Sequence, residues 1–161
     1  MIEPGLFQFA IENATIVALS APAPAGQSAQ AFYFGKLPKE PALPAIVLHR
    51  VSSPNVNEVL DMPSTGLQAI RGRFQFNSFA QDAQPGAVLP GINPSGYLAA
   101  AALSRALRLQ LMSVVGGELP DGTEIRDVRL NDEFDANYEQ GGTGYLYVRV
   151  LDLTIEFQEQ K

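Results

Sequence analysis

The sequence predicts an α+β fold: a mainly antiparallel sheet packed against one long helix and an amino-terminal helix. Three observations predict it: a strictly alternating strand after Leu67, a capped alanine- and leucine-rich helix after Ser95, and a long carboxyl-terminal strand rich in β-branched residues. With 161 residues and 46% hydrophobic content, the chain has the size and the apolar side chains of one folded domain. We therefore treat residues 1–161 as a single domain.

Composition argues against several functional classes. The chain has no cysteine, which excludes disulfides, thiolate zinc sites and cysteine nucleophiles. No apolar run approaches the ~20 residues that span a bilayer, and the first residues lack the basic region of a secretory signal, so we expect no membrane partner. Eleven basic against seventeen acidic residues give a net charge of −6, without the Lys/Arg cluster of a DNA-binding protein.

The segment from Leu67 to Gln81 predicts a half-buried strand, because successive side chains leave a strand on opposite faces. Its two parities are Ile70, Phe74, Phe76, Ser78 and Ala80 on one side, and Arg71, Arg73, Gln75, Asn77 and Gln81 on the other. A face this polar, in a chain without an evident active site, indicates a surface that meets other proteins. Arg71 and Arg73 are therefore candidate contact residues.

Two helices are predicted. The apolar stretch Leu6–Leu19 predicts an amphipathic helix that ends at a proline- and glycine-rich segment. Ser95–Val115 predicts a longer helix, in which Asn93 or Ser95 caps the first amides and Gly116 ends the last turn.

The longer helix is apolar around most of its circumference. Only a narrow strip with Ser104, Arg105 and Arg108 is polar, so we expect the helix to be covered on more than one side. The two apolar stripes are Leu103, Leu107, Leu111 and Val114, and beside them Leu98, Ala102, Ala106 and Leu109.

The remaining segments complete the α+β order. Four further strands are predicted at Ala31–Phe34, Ala45–Val51, Glu124–Leu130 and Tyr145–Phe157. Long connections are predicted as a loop or long hairpin tip at Ser53–Gly66, a loop at Asp82–Pro94, and an acidic loop or hairpin tip at Asn131–Gly144.

The sequence offers no support for catalysis. His49 is the only histidine, and it lies inside an apolar strand, where a packed ring is the favoured interpretation. No Gly-x-Ser-x-Gly elbow, phosphate-binding loop or dinucleotide fingerprint is present. We expect no enzyme activity, no catalytic residue and no cofactor. A small-molecule binding or hydrolytic α+β domain with a pocket around His49 is the alternative from another class.

The predicted tip at 131–144 is rich in carboxylates. The segment from Asp135 to Glu139 resembles the start of a calcium loop, but the turn glycine falls late, at Gly141, and Leu146 occupies the position of the bidentate carboxylate. We therefore predict no metal site, and interpret the tip either as a solvated segment or as a negative surface that faces a partner or a channel. The candidate contact residues here are Asp132, Glu133, Asp135 and Glu139, joined by Asn57 and Asp61 of the Ser53–Gly66 segment.

The order of these segments, more than any single motif, is similar to that of the tail terminator or tail-to-head joining proteins of long-tailed phages. The resemblance covers nearly the whole chain, although the Ser53–Gly66 and Asp82–Pro94 connections are longer than the family pattern. The matching segments are the apolar amino-terminal helix, Leu43-Pro44-Ala45-Ile46-Val47, Arg71-Gly72-Arg73-Phe74-Gln75-Phe76-Asn77-Ser78-Phe79-Ala80, the helix after Ser95, Asp132-Glu133-Phe134-Asp135, Tyr145-Leu146-Tyr147-Val148-Arg149 and Leu153-Thr154-Ile155.

This resemblance implies a structural virion protein without catalytic residues, found in the tail or neck, and in the host cytoplasm during assembly. It implies a self-assembled ring, a hexamer in the family, that contacts the tail tube protein on one face and a head-completion or connector protein on the other. Six copies would carry six times −6, or −36, so DNA would pass through the ring without adhering. Another neck component, such as a head-completion protein, remains an open alternative.

Overall fold

A computed structural model describes residues 2–22, 31–51, 58–62, 67–140 and 144–160, without the side chains at 58–62, 67–68, 138–140 and 159–160. It confirms the α+β class. The helices and strands are α1 Glu3–Glu12, α2 Ala14–Leu19, β1 Phe32–Phe34, β2 Ala45–Val51, β3 Glu58–Met62, β4 Leu67–Ala80, α3 Gly96–Ser113, β5 Glu124–Asp135, β6 Tyr138–Gln140 and β7 Gly144–Gln160.

The strands form one sheet in the order β1-β2-β4-β7-β5, with β3 paired to β4 and β6 paired to β7. Every pairing is antiparallel except that of β1 with β2. At ~3.3 Å per residue, the 17 residues of β7 span about 56 Å. The 18 residues of α3 span only about 27 Å. One helix therefore cannot cover the sheet, and the amino-terminal helices complete the covering layer.

The alternation predicted for β4 is confirmed. Phe74 and Phe76 are buried on the face toward the helices, which we call the inner face, whereas Arg71 and Arg73 lie on the outer face. Gly72 is also required on the inner side, because a Cβ at this position would approach the Phe74 ring to 2.8 Å.

The main core lies between the inner face and the helices. Burial of large apolar side chains from both layers supplies most of the folding free energy. Besides Phe74 and Phe76, its members include Ile2 and Leu6 from the amino-terminal end, Leu103, Leu107 and Leu111 from α3, and Leu151, Leu153, Ile155 and Phe157 from β7.

The prediction of a single amino-terminal helix is wrong, because the chain breaks at Asn13. The side chain of Asn13 accepts hydrogen bonds from the backbone amides of Thr15 (3.1 Å) and Ile16 (3.2 Å), and so caps α2. An asparagine that bonds to nearby backbone competes with the continuous helix. The first helix also begins earlier than predicted, at Glu3, with Pro4 in its first turn.

Of the two interpretations of Asn131–Gly144, the loop is wrong for most of the segment, whereas the hairpin agrees with the antiparallel pairing of β6 with β7. The fifth strand continues to Asp135, and β6 follows at Tyr138–Gln140. Register shifts between Ile125 and Asp127, and between Leu130 and Asp132, mark two β-bulges that interrupt the apolar alternation along this strand. For the predicted Ser53–Gly66 segment, the hairpin interpretation is the correct one, since β3 pairs antiparallel with β4.

The long helix is confirmed with its predicted cap. The Ser95 hydroxyl accepts from the amide of Leu98 (3.4 Å), and the carboxylate of Asp82 accepts from the amide of Gly96 (2.9 Å). Gly116, with a φ of 81°, ends the helical segment in the left-handed region. The Asp82–Pro94 connection contains no helix or strand, as predicted.

Candidate interaction surfaces

The outer face of the sheet carries a row of hydrogen-bonded polar side chains, which we call the polar ladder. It joins the three neighbouring strands β4, β7 and β5. Its members are Arg71, Arg73, Gln75, Asn131, Asp152, Thr154 and Glu156.

Asp152 is the centre of the polar ladder and is only 1% exposed. The Nε of Arg73 donates to both carboxylate oxygens of Asp152, at 2.8 and 3.0 Å. Asn131 and Gln75 donate two further hydrogen bonds to the same carboxylate, at 2.9 and 3.2 Å. The predicted contact residue Arg73 is therefore held by a carboxylate of its own subunit. Arg71 is held in the same way, by Glu156 at 3.0 Å.

The ionisation of Asp152 is set by two opposing effects. Burial raises the pKa of its carboxyl, but the hydrogen bonds from Arg73, Asn131 and Gln75 outweigh burial and lower the pKa below its ordinary value. The same hydrogen bond to Asp152 raises the pKa of the Arg73 guanidinium. The pair therefore remains charged at neutral pH, and its chemistry is that of a structural link between strands.

Glu133 is the centre of a second cluster, on the inner face. Its carboxylate accepts from Arg108 (2.8 Å), from the Ser104 hydroxyl (3.1 Å) and from Arg149 (3.4 Å). Arg149 also donates to Asp135 at 2.9 Å; that hydrogen bond raises the pKa of Arg149 against the opposing effect of burial. The cluster joins α3 to β5 and β7, so Ser104 and Arg108 of the polar strip contact the sheet.

The other predicted acidic residues are placed differently. Asp132 is exposed on β5, where its carboxylate accepts from the backbone amide of Glu133 (2.8 Å). Asp61 and Glu139 lie in β3 and β6 with side chains outside the described part of the chain, and Asn57 lies outside the described residues. Among the residues that are described, no group of three or more His, Cys, Asp or Glu side chains could hold a metal ion.

His49 lies half-buried on the outer face of β2, opposite Gln75 of β4. Four surface cavities formed by described residues lie along α1 and around the 82–94 loop, and His49 lines none of these four.

The outward side of α3 is apolar and exposed, contrary to the expectation that this helix is covered on more than one side. We call this surface the α3 patch and define it by Leu98, Arg105, Leu109 and Met112, which share one side of the helix. Leu98 is 49% exposed and Leu109 is 50% exposed, whereas Leu107, on the opposite side, is completely buried. Helical periodicity predicted both stripes, but it did not show that the fold buries Ala106 of the second stripe and leaves Leu98 and Leu109 half-exposed.

A second apolar surface runs along the amino-terminal helix. We call it the α1 groove: a cavity of about 640 Å³ lined by Glu3, Pro4, Phe7, Gln8, Ile11, Glu12 and Phe34. Phe7 of α1 packs against both aromatic residues of β1, with ring centroids 5.1 Å from Phe32 and 5.3 Å from Phe34. The groove is therefore built over the β1 edge of the sheet. Local sequence patterns do not predict this groove, because it forms only where residues distant in the chain meet.

Three tyrosines form a smaller aromatic surface near the start of β7. Tyr147 packs between Tyr97 (centroids 6.3 Å apart) and Tyr145 (6.1 Å apart), and its hydroxyl donates to Asp82 at 3.4 Å. Burial, and secondarily the charge of Asp82, raises the pKa of Tyr147. Tyr97 and Tyr145 remain exposed, and exposed tyrosines are frequent anchors in protein interfaces.

Comparison with known protein families finds no family that matches this sequence, and comparison with curated proteins finds no similar protein. Within the described ranges, no helix is both long and apolar enough to cross a membrane. The functional interpretation therefore depends on the surfaces described above and on the order of sequence segments.

Proposed function

We propose that the protein is a non-catalytic structural subunit of a tailed phage that assembles into a ring, caps the tail tube and joins it to the head. The observation that carries the proposal is the α3 patch. A single subunit leaves Leu98, Leu109 and Met112 exposed along one side of its longest helix. Large exposed apolar side chains that share one side of a helix are typical of surfaces that bind other proteins.

The fold supports the proposal at the coarse level, because it is the α+β arrangement that the resemblance implies. The segments that carry the resemblance also occupy central positions. Residues Arg71–Ala80 lie in β4, the helix after Ser95 is α3, and residues Tyr145–Ile155 lie in β7. These are the two middle strands of the sheet and the helix that packs on them.

A ring also requires two different, complementary surfaces on each subunit. The subunit provides candidates on separate helices, the α3 patch and the α1 groove. Two end faces of the ring remain for the tail tube protein and for the head-completion or connector protein. Six subunits would carry a formal charge of −36, which favours passage of DNA through the ring without binding.

The proposal is tested by adding purified protein separately to growing tail tubes and to DNA-filled heads. A tail terminator stops tube growth and makes the capped tubes competent to join heads, and electron micrographs show it as a ring with a central hole. Binding to heads before tubes would instead identify a head-side neck component. A monomer that binds neither particle, and whose activity toward a metabolite is lost on His49→Gln, would contradict the proposal.

A further inference from the structure

We infer that the α3 patch of one subunit docks into the α1 groove of a second copy of the same chain, in a head-to-tail contact. This inference rests on the proposed ring function and identifies the two surfaces that would close the ring. It follows from three properties of these surfaces: their positions on the subunit, their charges and their apolar shapes.

The two surfaces lie on different parts of the helical layer: the α1 groove lies at the β1 edge of the sheet, whereas α3 packs over the middle strands β4 and β7. The α1 groove is built on β1, because Phe7 packs against Phe32 and Phe34. The third helix is tied toward β5 by the hydrogen bonds of Ser104 and Arg108 to Glu133. Since the two surfaces are different and share no residue, neighbouring subunits can meet through unlike surfaces and repeat the contact.

The helices that carry the two surfaces have opposite charges. Residues Gly96–Ser113 contain two arginines and no acidic residue, whereas residues Glu3–Leu19 contain two glutamates and no basic residue. This segregation occurs in a chain with a net charge of −6. Complementary charges of this kind select the partner and the orientation in which it binds. Two copies of the α3 patch would repel each other, so the pattern favours the head-to-tail contact over a symmetric one.

One charge on each surface is available for a partner. On α3, Arg108 is engaged by Glu133, while Arg105 has no ion pair within the described part of the chain. On α1, Glu3 is paired with Arg50 at 3.0 Å. Glu12 accepts only an exposed hydrogen bond from Gln8, at 2.9 Å. The inferred contact therefore places Arg105 of one subunit against Glu12 of the next.

The apolar parts of the two surfaces also match. Leu98, Leu109 and Met112 lie on one side of α3, with Ala102 and Arg105 between Leu98 and Leu109. A helix with such an apolar side can bind a hydrophobic groove. The groove presents Phe7, Ile11 and Phe34 to such a helix. The large apolar side chains would supply the affinity, and the Arg105–Glu12 pair would fix the register.

A charge-swap experiment tests this contact. Purified wild-type protein, Arg105→Glu, Glu12→Arg and the double variant are compared by sedimentation velocity over a range of concentrations. We expect each single variant to raise the apparent dissociation constant at least about tenfold, through like-charge contact. The double variant should restore it to within about threefold of wild type. Lys39→Glu and Glu40→Arg, exposed residues outside both surfaces, are matched controls with the same charge changes.

Leu109→Gln is the second variant, because it removes an apolar contact without changing the charge. It should shift the assembly toward monomer while far-ultraviolet circular dichroism and the melting profile of the monomer stay unchanged. Wild-type-like assembly of Arg105→Glu, Glu12→Arg and Leu109→Gln would overturn the inference but leave the ring function intact. A double variant whose apparent dissociation constant stays as high as that of the single variants would also overturn the inference. A wild-type chain that remains monomeric overturns the contact, and the tube and head assay then decides the proposed function separately.

Discussion

The outer face of the sheet and the outward side of α3 differ in whether their side chains find partners within the chain. On the sheet, charged side chains are abundant, yet the central pair of Arg73 and Asp152 is satisfied within the subunit. On α3, charges are few, and Leu98 and Leu109 are left half-exposed. The residues that most suggested protein contacts in the sequence therefore stabilise the fold of the single chain. The large exposed apolar side chains lie on α3 instead.

The same contrast occurs between two adjacent residues of β5. Glu133 points to the inner face, where three side chains from α3 and β7 donate to it. Asp132 points to the opposite side and remains exposed. Although the two residues are neighbours in one acidic cluster, they have different roles. Glu133 links β5 to α3 and β7, whereas Asp132 is a surface charge.

The largest expected effect separates the two sides of α3. Leu107→Ala should lower the free energy of unfolding by about 3–4 kcal/mol, because it leaves a cavity in a completely buried position. The matched variant Leu109→Ala should lower it by no more than about 0.5 kcal/mol. Urea denaturation at protein concentrations that keep the chain monomeric measures both. Equal destabilisation would show that the outward side of α3 is part of the core of the single subunit.

The second prediction compares a buried with an exposed ion pair on the outer face. Asp152→Ala should lower the free energy of unfolding by about 2–3 kcal/mol, since it leaves Arg73, Gln75 and Asn131 without their shared acceptor. Asp127→Ala breaks the exposed pair with Arg129 and should cost less than about 1 kcal/mol. Chemical denaturation of the two variants provides the comparison. If the polar ladder does not stabilise the fold, both variants would show the same small loss in the free energy of unfolding.

The third prediction sharpens the difference between Glu133 and Asp132. Reversing the charge of Glu133 with lysine should destabilise the monomer by about 1–3 kcal/mol, because two arginines then face a cation. Asp132→Lys should change stability by about 0.5 kcal/mol or less. Thermal denaturation of the two proteins tests this pair. A fully stable Glu133→Lys protein would return this residue to the exposed contact surface that the sequence suggested.

The smallest effect is a pH dependence at Asp152. The pKa of its carboxyl in the folded protein lies below the ordinary value of 3.8, so the folded state binds this proton less readily than the unfolded chain does. The stabilisation of the fold by the ionised Asp152 carboxylate is fully present above about pH 4 and is lost as the pH falls through the pKa of the folded state. The stability difference between wild type and Asp152→Asn, measured by denaturation at pH 6 and at pH 3, should therefore shrink at pH 3. A constant difference would show that ionisation of Asp152 does not stabilise the fold.

Much of the fold was predictable from local patterns. Alternation identified β4, because from Arg71 to Asn77 one of its faces is buried and the other is polar, although Phe79 at its end is buried on the polar side. The Ser95 cap and the glycine after Val115 identified α3 at both ends. These signals arise from residues close together in the sequence, and they do not depend on distant parts of the chain.

The features that were missed depend on tertiary context. Bulges in β5 shift the alternation, so Asn131–Asp135 looked like a loop although it pairs with β7. Asn13 interrupts a stretch whose apolar composition alone favoured one helix. The partners of Arg73 and Glu133 lie on other strands and helices, and single-sequence periodicity cannot show which charges meet. For the same reason the α1 groove was not predictable.

The mass of the native particle tests the self-assembly of this chain most directly. Native mass spectrometry of the purified protein should show a closed species at a whole multiple of the 17.3 kDa chain, which for six copies is about 104 kDa. Arg105→Glu should shift this species toward the single chain, and Lys39→Glu should not. A particle that stays at 17.3 kDa at every concentration would contradict a ring built from the apolar helix surfaces.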